Sequence, residues 1–199
     1  MQFIYDNLTA SVISGTVVLI LFAVQMRAMN ASIAQTGRNV ALNRAQTFAT
    51  WLEQDLQKVG RNRADDEDVI KALDREEVEE GQSPTDKTLS TFSFCFGSGN
   101  CDTPDVTYQV DSESRTVGDN ERTVYQLTRT PDGQSPPNLG YFDLQFVDEN
   151  ASVVENPEAN RSQIRAIRVH FSVIPPFQNE QSTLNEVHRM VVVPFTPSL

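Results

Sequence analysis

The residue types that most often perform chemistry in proteins are scarce and scattered in this chain. Its two histidines, His170 and His188, lie in the alternating runs IRVHFSV and EVHRM, which are typical of β-strands. With only two cysteines besides, a conventional zinc or iron–sulfur site is not expected. No phosphate-binding loop, zinc-protease helix or nucleophile elbow is present in the sequence, and Gly97-Ser-Gly99 lacks the lysine or helix start that would hold a phosphate. We therefore expect no catalytic site, no metal and no cofactor.

The two cysteines are close in sequence. Cys95 and Cys101 enclose the Gly-rich loop FGSGN after a predicted strand. Such a pair can close a disulfide in an oxidising compartment, whereas a redox-active pair would have the spacing Cys-x-x-Cys. We predict a structural disulfide that stabilises a hairpin by roughly 2–3 kcal/mol.

The carboxylates are concentrated in the segment Asp65–Glu80, which carries nine acidic and two basic side chains. Clustered carboxylates can bind calcium, but the segment has neither the central glycine nor the ligand spacing of an EF-hand. Four apolar residues could line one face of a short helix: Val69, Ile70, Leu73 and Val78. We interpret the segment as a solvated acidic helix or loop within a linker at 61–87. The net charge of the whole chain is −11, which argues against nucleic-acid binding.

The N-terminal region supplies a long apolar helix on which the remainder of the chain must be positioned. Residues 7–26 contain no charged side chain, and 12–24 (VISGTVVLILFAV) are almost wholly apolar. Twenty helical residues span roughly 30 Å, the thickness of the hydrocarbon core of a bilayer. A cleavable signal would have a basic region before the apolar run, whereas Asp6 precedes it here. The pattern predicts a retained transmembrane helix at 1–26.

Apolar residues continue beyond the membrane run at helical spacing. They recur every three or four positions from Met26 to Val59, with Gly37 and Ala45 at two of these positions. No proline interrupts the first 83 residues, and Gly60 offers a C-cap. The first 59 residues therefore read as one helix, amphipathic over 27–60. Its stripe could belong to a coiled-coil stalk, but it lacks a regular Leu or Ile repeat, so packing against the chain's own C-terminal domain is favoured.

From residue 88 onward the apolar pattern changes from helical spacing to alternation. Six strands separated by turn residues are predicted: Leu89–Phe96, Val106–Val110, Thr123–Arg129, Tyr141–Val147, Ile164–Ile174 and Glu186–Phe195. Because the helix precedes all strands, the expected class is α+β, with the long N-terminal helix packed on a C-terminal antiparallel β-sheet domain at 88–199.

This layout resembles the type IV pilins and the pseudopilins of type II secretion. The stretch RAQTFATWLEQDLQKVGRN (residues 44–62) is similar to the end of the long helix in the larger minor pilins and pseudopilins. The strand sequences VTYQV, TVYQLTR, LGYFDLQFVDENASVV and QIRAIRVHFSVIP, and the final VHRMVVVPF, are similar as well. The resemblance covers the layout of the whole chain.

The signature of that family is a Phe or Met at the mature N-terminus, followed by Glu at the fifth position. Met1 fits the first requirement, while Tyr5 stands at the fifth position and Asp6 follows it. The resemblance implies that Met1 is the processed, methylated residue. It also implies that Asp6 pairs with the N-terminal amine of a neighbouring subunit, as the family's glutamate does, either one residue late or from the fifth position if Met1 is removed. A carboxylate among apolar helices is costly without such a cation.

Charge near the membrane run bears on orientation. Arg27, Arg38 and Arg44 follow the run and no Lys or Arg precedes it, which taken alone favours a cytoplasmic C-terminus. The cysteine pair and the resemblance favour the opposite side. A removed basic leader would reconcile the two, so we expect the chain to be a processed form.

The resemblance implies a filament subunit. It would span the inner membrane once before assembly and then join copies of itself or related pilins, through its N-terminal helix, in an extracellular or periplasmic filament. The expected assembly residues are Asp6, Gly15, Phe22 and Gly37. The two glycines are sites either of local bending or of close helix packing. The alternative function is a single-pass membrane protein whose extracytoplasmic domain binds a ligand or partner; an enzyme ranks third.

Overall fold

A computed structural model describes residues 2–59, 69–76, 88–96, 101–117, 120–131, 133, 135, 139–157, 159–176 and 186–195. They form one long helix, a short 3-10 helix at Arg161–Gln163 and one sheet. The helix α1 spans Gln2–Leu56. The strands are β1 (Ile70–Glu76), β2 (Thr88–Phe94), β3 (Val106–Val117), β4 (Asn120–Thr130), β5 (Leu139–Val147), β6 (Ala166–Val173) and β7 (Val187–Pro194).

The helix is continuous through both halves, as the spacing of its apolar residues predicts. Its last regular residue is Leu56, and a tighter turn follows in which the amide of Val59 donates to the carbonyl oxygen of Leu56 at 3.1 Å. The helix therefore ends three residues before the predicted end, and the expected cap at Gly60 lies outside the described residues.

The strands follow chain order across the sheet, from β1 at one edge to β7 at the other, and all neighbours are antiparallel. The β3–β4 and β5–β6–β7 ladders are long, whereas the described residues of β4 and β5 pair at Tyr125 and Leu139. The predicted α+β class and all six predicted strands are confirmed. Because every connection joins adjacent antiparallel strands, the sheet is a meander.

Strand β1 corrects the interpretation of the acidic segment Asp65–Glu80. Residues 70–76 are an edge strand paired with β2, so a solvated helix or loop is wrong for them, and the linker at 61–87 contains part of the sheet. Val69 and Ile70 are buried, and the amide of Cys95 donates to the carbonyl oxygen of Val69 at 2.9 Å. An edge strand leaves one side in water, so exposed charges such as Asp74 are tolerated.

The second half of α1 packs on the sheet, which confirms that the amphipathic stripe is covered by the chain's own domain. Phe48 contacts the ring of Phe171 edge-to-face, with centroids 4.9 Å apart, and Trp51 contacts Tyr108 in the same way at 5.9 Å. The buried positions of the helix lie three or four residues apart, except that Leu56 directly follows Asp55, and the spacing continues to Val59 in the turn after the helix: Gly37, Ala41, Ala45, Phe48, Leu52, Asp55, Leu56 and Val59. The stripe is covered from Gly37 onward, while Met26 and Met29 stay exposed.

Candidate functional site: the exposed half of the helix and its attachment

The first half of α1 is exposed on all sides. Every residue from 9 to 32 is exposed, and the large apolar side chains among them are 48–70% accessible. They are Val12, Ile13, Val17, Val18, Leu19, Ile20, Leu21, Phe22, Val24, Met26 and Met29. By its length and composition this helix can cross a membrane.

Water is a poor solvent for this surface. Burying one large apolar side chain stabilises a protein by about 1.5–3 kcal/mol, so the exposed set represents on the order of 20 kcal/mol. That is more than the total stability of an ordinary domain. The exposed half therefore requires lipid or protein around it.

Four threonine hydroxyls on this helix are satisfied within it: those of Thr16, Thr36, Thr47 and Thr50. The hydroxyl of Thr16 donates to the carbonyl oxygen of Val12 at 2.8 Å, and that of Thr36 donates to Ser32 at 2.9 Å. Such bonds to the preceding turn remove the need for water at these side chains. The helix can accordingly pass from lipid to a protein environment without leaving these donors unpaired.

The predicted assembly residues fall at different places on the helix. Gly15 and Phe22 lie in the exposed half: apart from the backbone of the helix itself, nothing lies within 4 Å of the position that a Cβ at Gly15 would take, and Phe22 is 62% exposed. Gly37 is buried at the start of the covered stripe. In this chain α1 runs through both glycines without a break. Met1 and the side chain of Asp6 lie outside the description, so the amine–carboxylate pairing stays a prediction.

A buried ionic cluster joins the end of α1 to strands β3 and β4. Asp55 is 3% exposed, and its Oδ2 accepts hydrogen bonds from the hydroxyl of Tyr108, at 2.8 Å, and from Nε–H of Arg129. Its Oδ1 accepts from the Nζ of Lys58 at 2.9 Å and from Nη2 of Arg129 at 3.4 Å. One carboxylate thus links three elements of the fold.

The electrostatics of the cluster favour a fixed ion pair. Burial acts to raise the pKa of Asp55, but hydrogen bonds from Lys58, Arg129 and Tyr108 outweigh it and hold the pKa below the ordinary value. Burial, reinforced by the Asp55 carboxylate, raises the pKa of Tyr108 far above its usual range. Burial of Arg129 opposes its charge, yet its bond to Asp55 raises its pKa. These shifts keep the Asp55 carboxylate ionised and the Tyr108 phenol neutral at neutral pH, so the cluster attaches the end of α1 to the sheet through a charged hydrogen-bond network.

Sequence reasoning did not single out Asp55, although a signal was present. Asp55 lies three residues after Leu52 and four before Val59, so it shares the buried face of the helix. A carboxylate at such a position requires partners, because an unpaired buried charge is strongly destabilising.

The disulfide prediction is confirmed. Cys95 and Cys101 are bonded, with their Cα atoms 6.0 Å apart, and both are buried. Close by, the amide of Phe96 donates to a carboxylate oxygen of Asp105 at 2.7 Å. The disulfide closes the connection that leads from β2 to β3.

Both histidines lie on the face of the sheet opposite α1. The ring of His170 is 5.1 Å from that of Tyr141 and 5.8 Å from that of His188. Glu186 accepts a hydrogen bond from the hydroxyl of Ser172 and lies 3.9 Å from Nε2 of His188, so the carboxylate stands between serine and histidine. Nucleophilic activation needs the histidine in the middle, and Ser172 is fully buried, so this arrangement does not activate the serine.

Two other kinds of site can be compared with the exposed helix. Within the described parts of the chain, no group of three or more His, Cys, Asp or Glu side chains could hold a metal. An open groove of about 320 Å³ lies between α1 and the edge strand β7, lined by Gln46, Ala49, Thr50, Glu53 and residues 189–192. The groove is open and its lining mixes polar and apolar side chains.

Comparison of the chain with protein-family models, with curated proteins and with solved structures finds no match.

Proposed function

We propose that this chain is a structural subunit of a type IV pilus-like or pseudopilus filament. Before assembly, α1 holds it in the inner membrane; afterwards the same helix packs against copies of itself or related subunits. One observation carries the proposal: a single continuous helix is exposed over residues 9–32, is almost wholly apolar over 12–24, and is fixed to a β domain from Gly37 to Leu56.

The exposed half suits both environments of such a subunit. Lipid tails and neighbouring apolar helices solvate it equally well, so transfer between them gains little hydrophobic energy. Association then depends on close packing and on polar pairing. Gly15 allows a close approach, because the space beside it is open, and Asp6 supplies the charge for pairing.

The attachment of the helix to the sheet favours a filament over a tethered binding domain. A domain that only needs to stay near a membrane can hang from a flexible linker. Here the helix enters the domain as part of its core, through Phe48 and the buried carboxylate of Asp55. Such a connection fixes the domain relative to the helix, as repeated packing in a filament requires.

The proposal is tested by electron microscopy of filaments sheared from the native cell, together with mass spectrometry of the subunit's N-terminus. We expect filaments that contain this chain, with a processed and methylated first residue. A chain found unprocessed and solely in membranes would contradict the proposal and favour the membrane-anchored binding domain.

A matched pair of variants separates assembly from folding. Phe22 is 62% exposed on the helix and Val153 is 50% exposed on the β domain. We expect Phe22→Ala to lower the yield of filaments while the chain remains in the membrane fraction, because a helix–helix contact is lost. Val153→Ala is the control and should assemble as the unaltered chain does. Equal yields for both variants would argue against assembly through α1.

A further inference from the structure

The two histidines of the chain meet on the face of the sheet opposite α1. His170 lies on β6 and His188 on the neighbouring strand β7, and the centres of their rings are 5.8 Å apart. The sequence contains no other histidine. Folding therefore gathers both imidazoles of the chain at one place.

Met190 lies on the same face as the two histidines. It is directly opposite His170 in the register of β6 and β7, and it follows His188 by two residues, so the three side chains point to one side of the sheet. The amide of Phe195 donates to the carbonyl oxygen of Arg165 at 2.8 Å. Counting from that bond, alternation along the strands makes His170 and Met190 a non-hydrogen-bonded pair, the kind in which facing side chains lie closest.

The separation of the two rings suits a shared metal ion. A metal bound to an imidazole nitrogen lies about 2.0–2.1 Å from it and hence about 3.2 Å from the ring centre. Two rings on one ion then have centres about 5.2 Å apart in a tetrahedral site and at most about 6.4 Å apart. The observed 5.8 Å lies between these values, so the two imidazoles can bind one ion while β6 and β7 keep their positions.

The groups around the rings fit a bound cation. Tyr141 contacts the ring of His170 edge-to-face at 5.1 Å, which restricts the orientation of that ring. Glu186 lies 3.9 Å from Nε2 of His188. A carboxylate beside the second nitrogen is common at metal-binding histidines, where it orients the ring. The side chain of His188 is 58% exposed, so an ion can enter from water.

The kinds of ligand present favour copper. Imidazole binds several transition metals, and Cu²⁺ is held most tightly among the first-row divalent ions. A thioether is a soft ligand that favours Cu⁺. The side chain of Met190 is 60% exposed and is thus accessible to an ion. Both cysteines of the chain are in the disulfide, so no thiol of the chain competes for the metal.

We propose that His170, His188 and Met190 bind one copper ion on the face of the sheet opposite α1. The expectation that the chain holds no metal rested on its few histidines and cysteines and left out the methionine thioether. The site belongs to the β domain alone, so the proposal does not depend on assembly into filaments.

Copper titration of the full chain in detergent tests the site. We expect one Cu²⁺ per chain, electron spin-echo modulation from two imidazole nitrogens, and a higher urea midpoint when copper is present. His170→Gln and His188→Gln should each weaken Cu²⁺ binding by more than the roughly 10–100-fold that loss of an outer-shell partner costs. Arg189→Gln is the control, because Arg189 is exposed on β7 but alternation places its side chain on the other face. It should bind copper as the unaltered chain does.

Reduction of the copper with ascorbate tests the thioether. Met190→Leu should weaken Cu⁺ binding about tenfold or more and leave Cu²⁺ binding within about threefold, because only the softer ion prefers sulfur. Met29→Leu, which removes an exposed thioether from α1, is the control and should change neither. Equal Cu⁺ affinity in these two variants would show that Met190 is not a ligand. Absence of tight copper binding, binding that survives the loss of both histidines, or tighter binding of zinc than of copper would overturn the proposal as a whole.

Discussion

Substitution of Asp55 by Asn tests how α1 is held on the sheet. The variant leaves Arg129, whose side chain is only 13% exposed, without its ionised partner. Removing one member of a buried ion pair costs about 3–5 kcal/mol. Because Arg129 keeps some contact with water, we expect the lower value, about 3 kcal/mol in the free energy of unfolding. For a chain of 199 residues this corresponds to a fall in Tm of roughly 6–12 °C.

Substitutions of the other members of the cluster should give a graded series of losses in the free energy of unfolding. Tyr108→Phe removes one hydrogen bond to a charged group and should cost about 1.5 kcal/mol. Lys58→Met should cost under about 1 kcal/mol, because the lysine side chain is 42% exposed and its pairing is screened. The double variant Asp55→Leu/Arg129→Met removes both charges and should be more stable than Asp55→Asn alone.

Urea unfolding of the full chain in detergent, followed by the fluorescence of Trp51, measures this series. Trp51 is the only tryptophan and its ring lies 5.5 Å from that of Phe48 and 5.9 Å from that of Tyr108, so its signal reports separation of helix and sheet. A loss of less than about 1 kcal/mol in Asp55→Asn would refute the argument. So would a double variant no more stable than the single one.

Further predictions concern pH, the disulfide and packing. Folding lowers the pKa of Asp55, so the stabilisation of the fold by its ionised carboxylate is complete above the ordinary pKa of 3.8 and is lost as the pH falls through the folded value. Acid titration should therefore destabilise the unaltered chain more steeply than Asp55→Asn. Replacing Cys95 and Cys101 by serine should lower the urea midpoint by the equivalent of about 2 kcal/mol. Gly133→Ala should destabilise by about 1–3 kcal/mol, because φ is +141° and a Cβ would lie 2.7 Å from the indole ring; calorimetry would show it. Leu52→Ala should cost about 2–5 kcal/mol in the same assay.

Local patterns were sufficient to predict most elements of the fold. The helix shows an unbroken three-to-four-residue spacing of small and apolar side chains, and the six predicted strands alternate between turn residues, so each element is encoded in its own stretch of sequence. Strand β1 was missed because the charges of its sequence, IKALDRE, mask its pattern. It is a strand because it pairs with β2 and because Val69 and Ile70 are buried, and not because its own residues alternate.

The candidate site, too, could be predicted from the sequence only in part. The exposed apolar helix was predictable, because twenty uncharged residues are visible without any knowledge of tertiary structure. The pairing of Asp55 with Arg129 was not, since the two residues are 74 positions apart and meet only when β4 is in place. Position on the buried stripe could have identified Asp55 as a residue in need of a partner, but not which partner it has.

The attachment of the helix to the sheet yields a prediction about assembly. Copies that pack through α1 hold their β domains in a regular arrangement only if each domain is fixed on its own helix. Loosening that attachment with Asp55→Asn should therefore lower both the stability of the chain and its yield of filaments. Phe22→Ala, which alters a side chain in the exposed half, should lower the yield alone. Measurement of both the filament yield and the stability to urea of the two variants distinguishes a loss of attachment from a loss of helix–helix contact. Normal assembly of a clearly destabilised Asp55→Asn chain would show that subunit packing does not depend on this attachment.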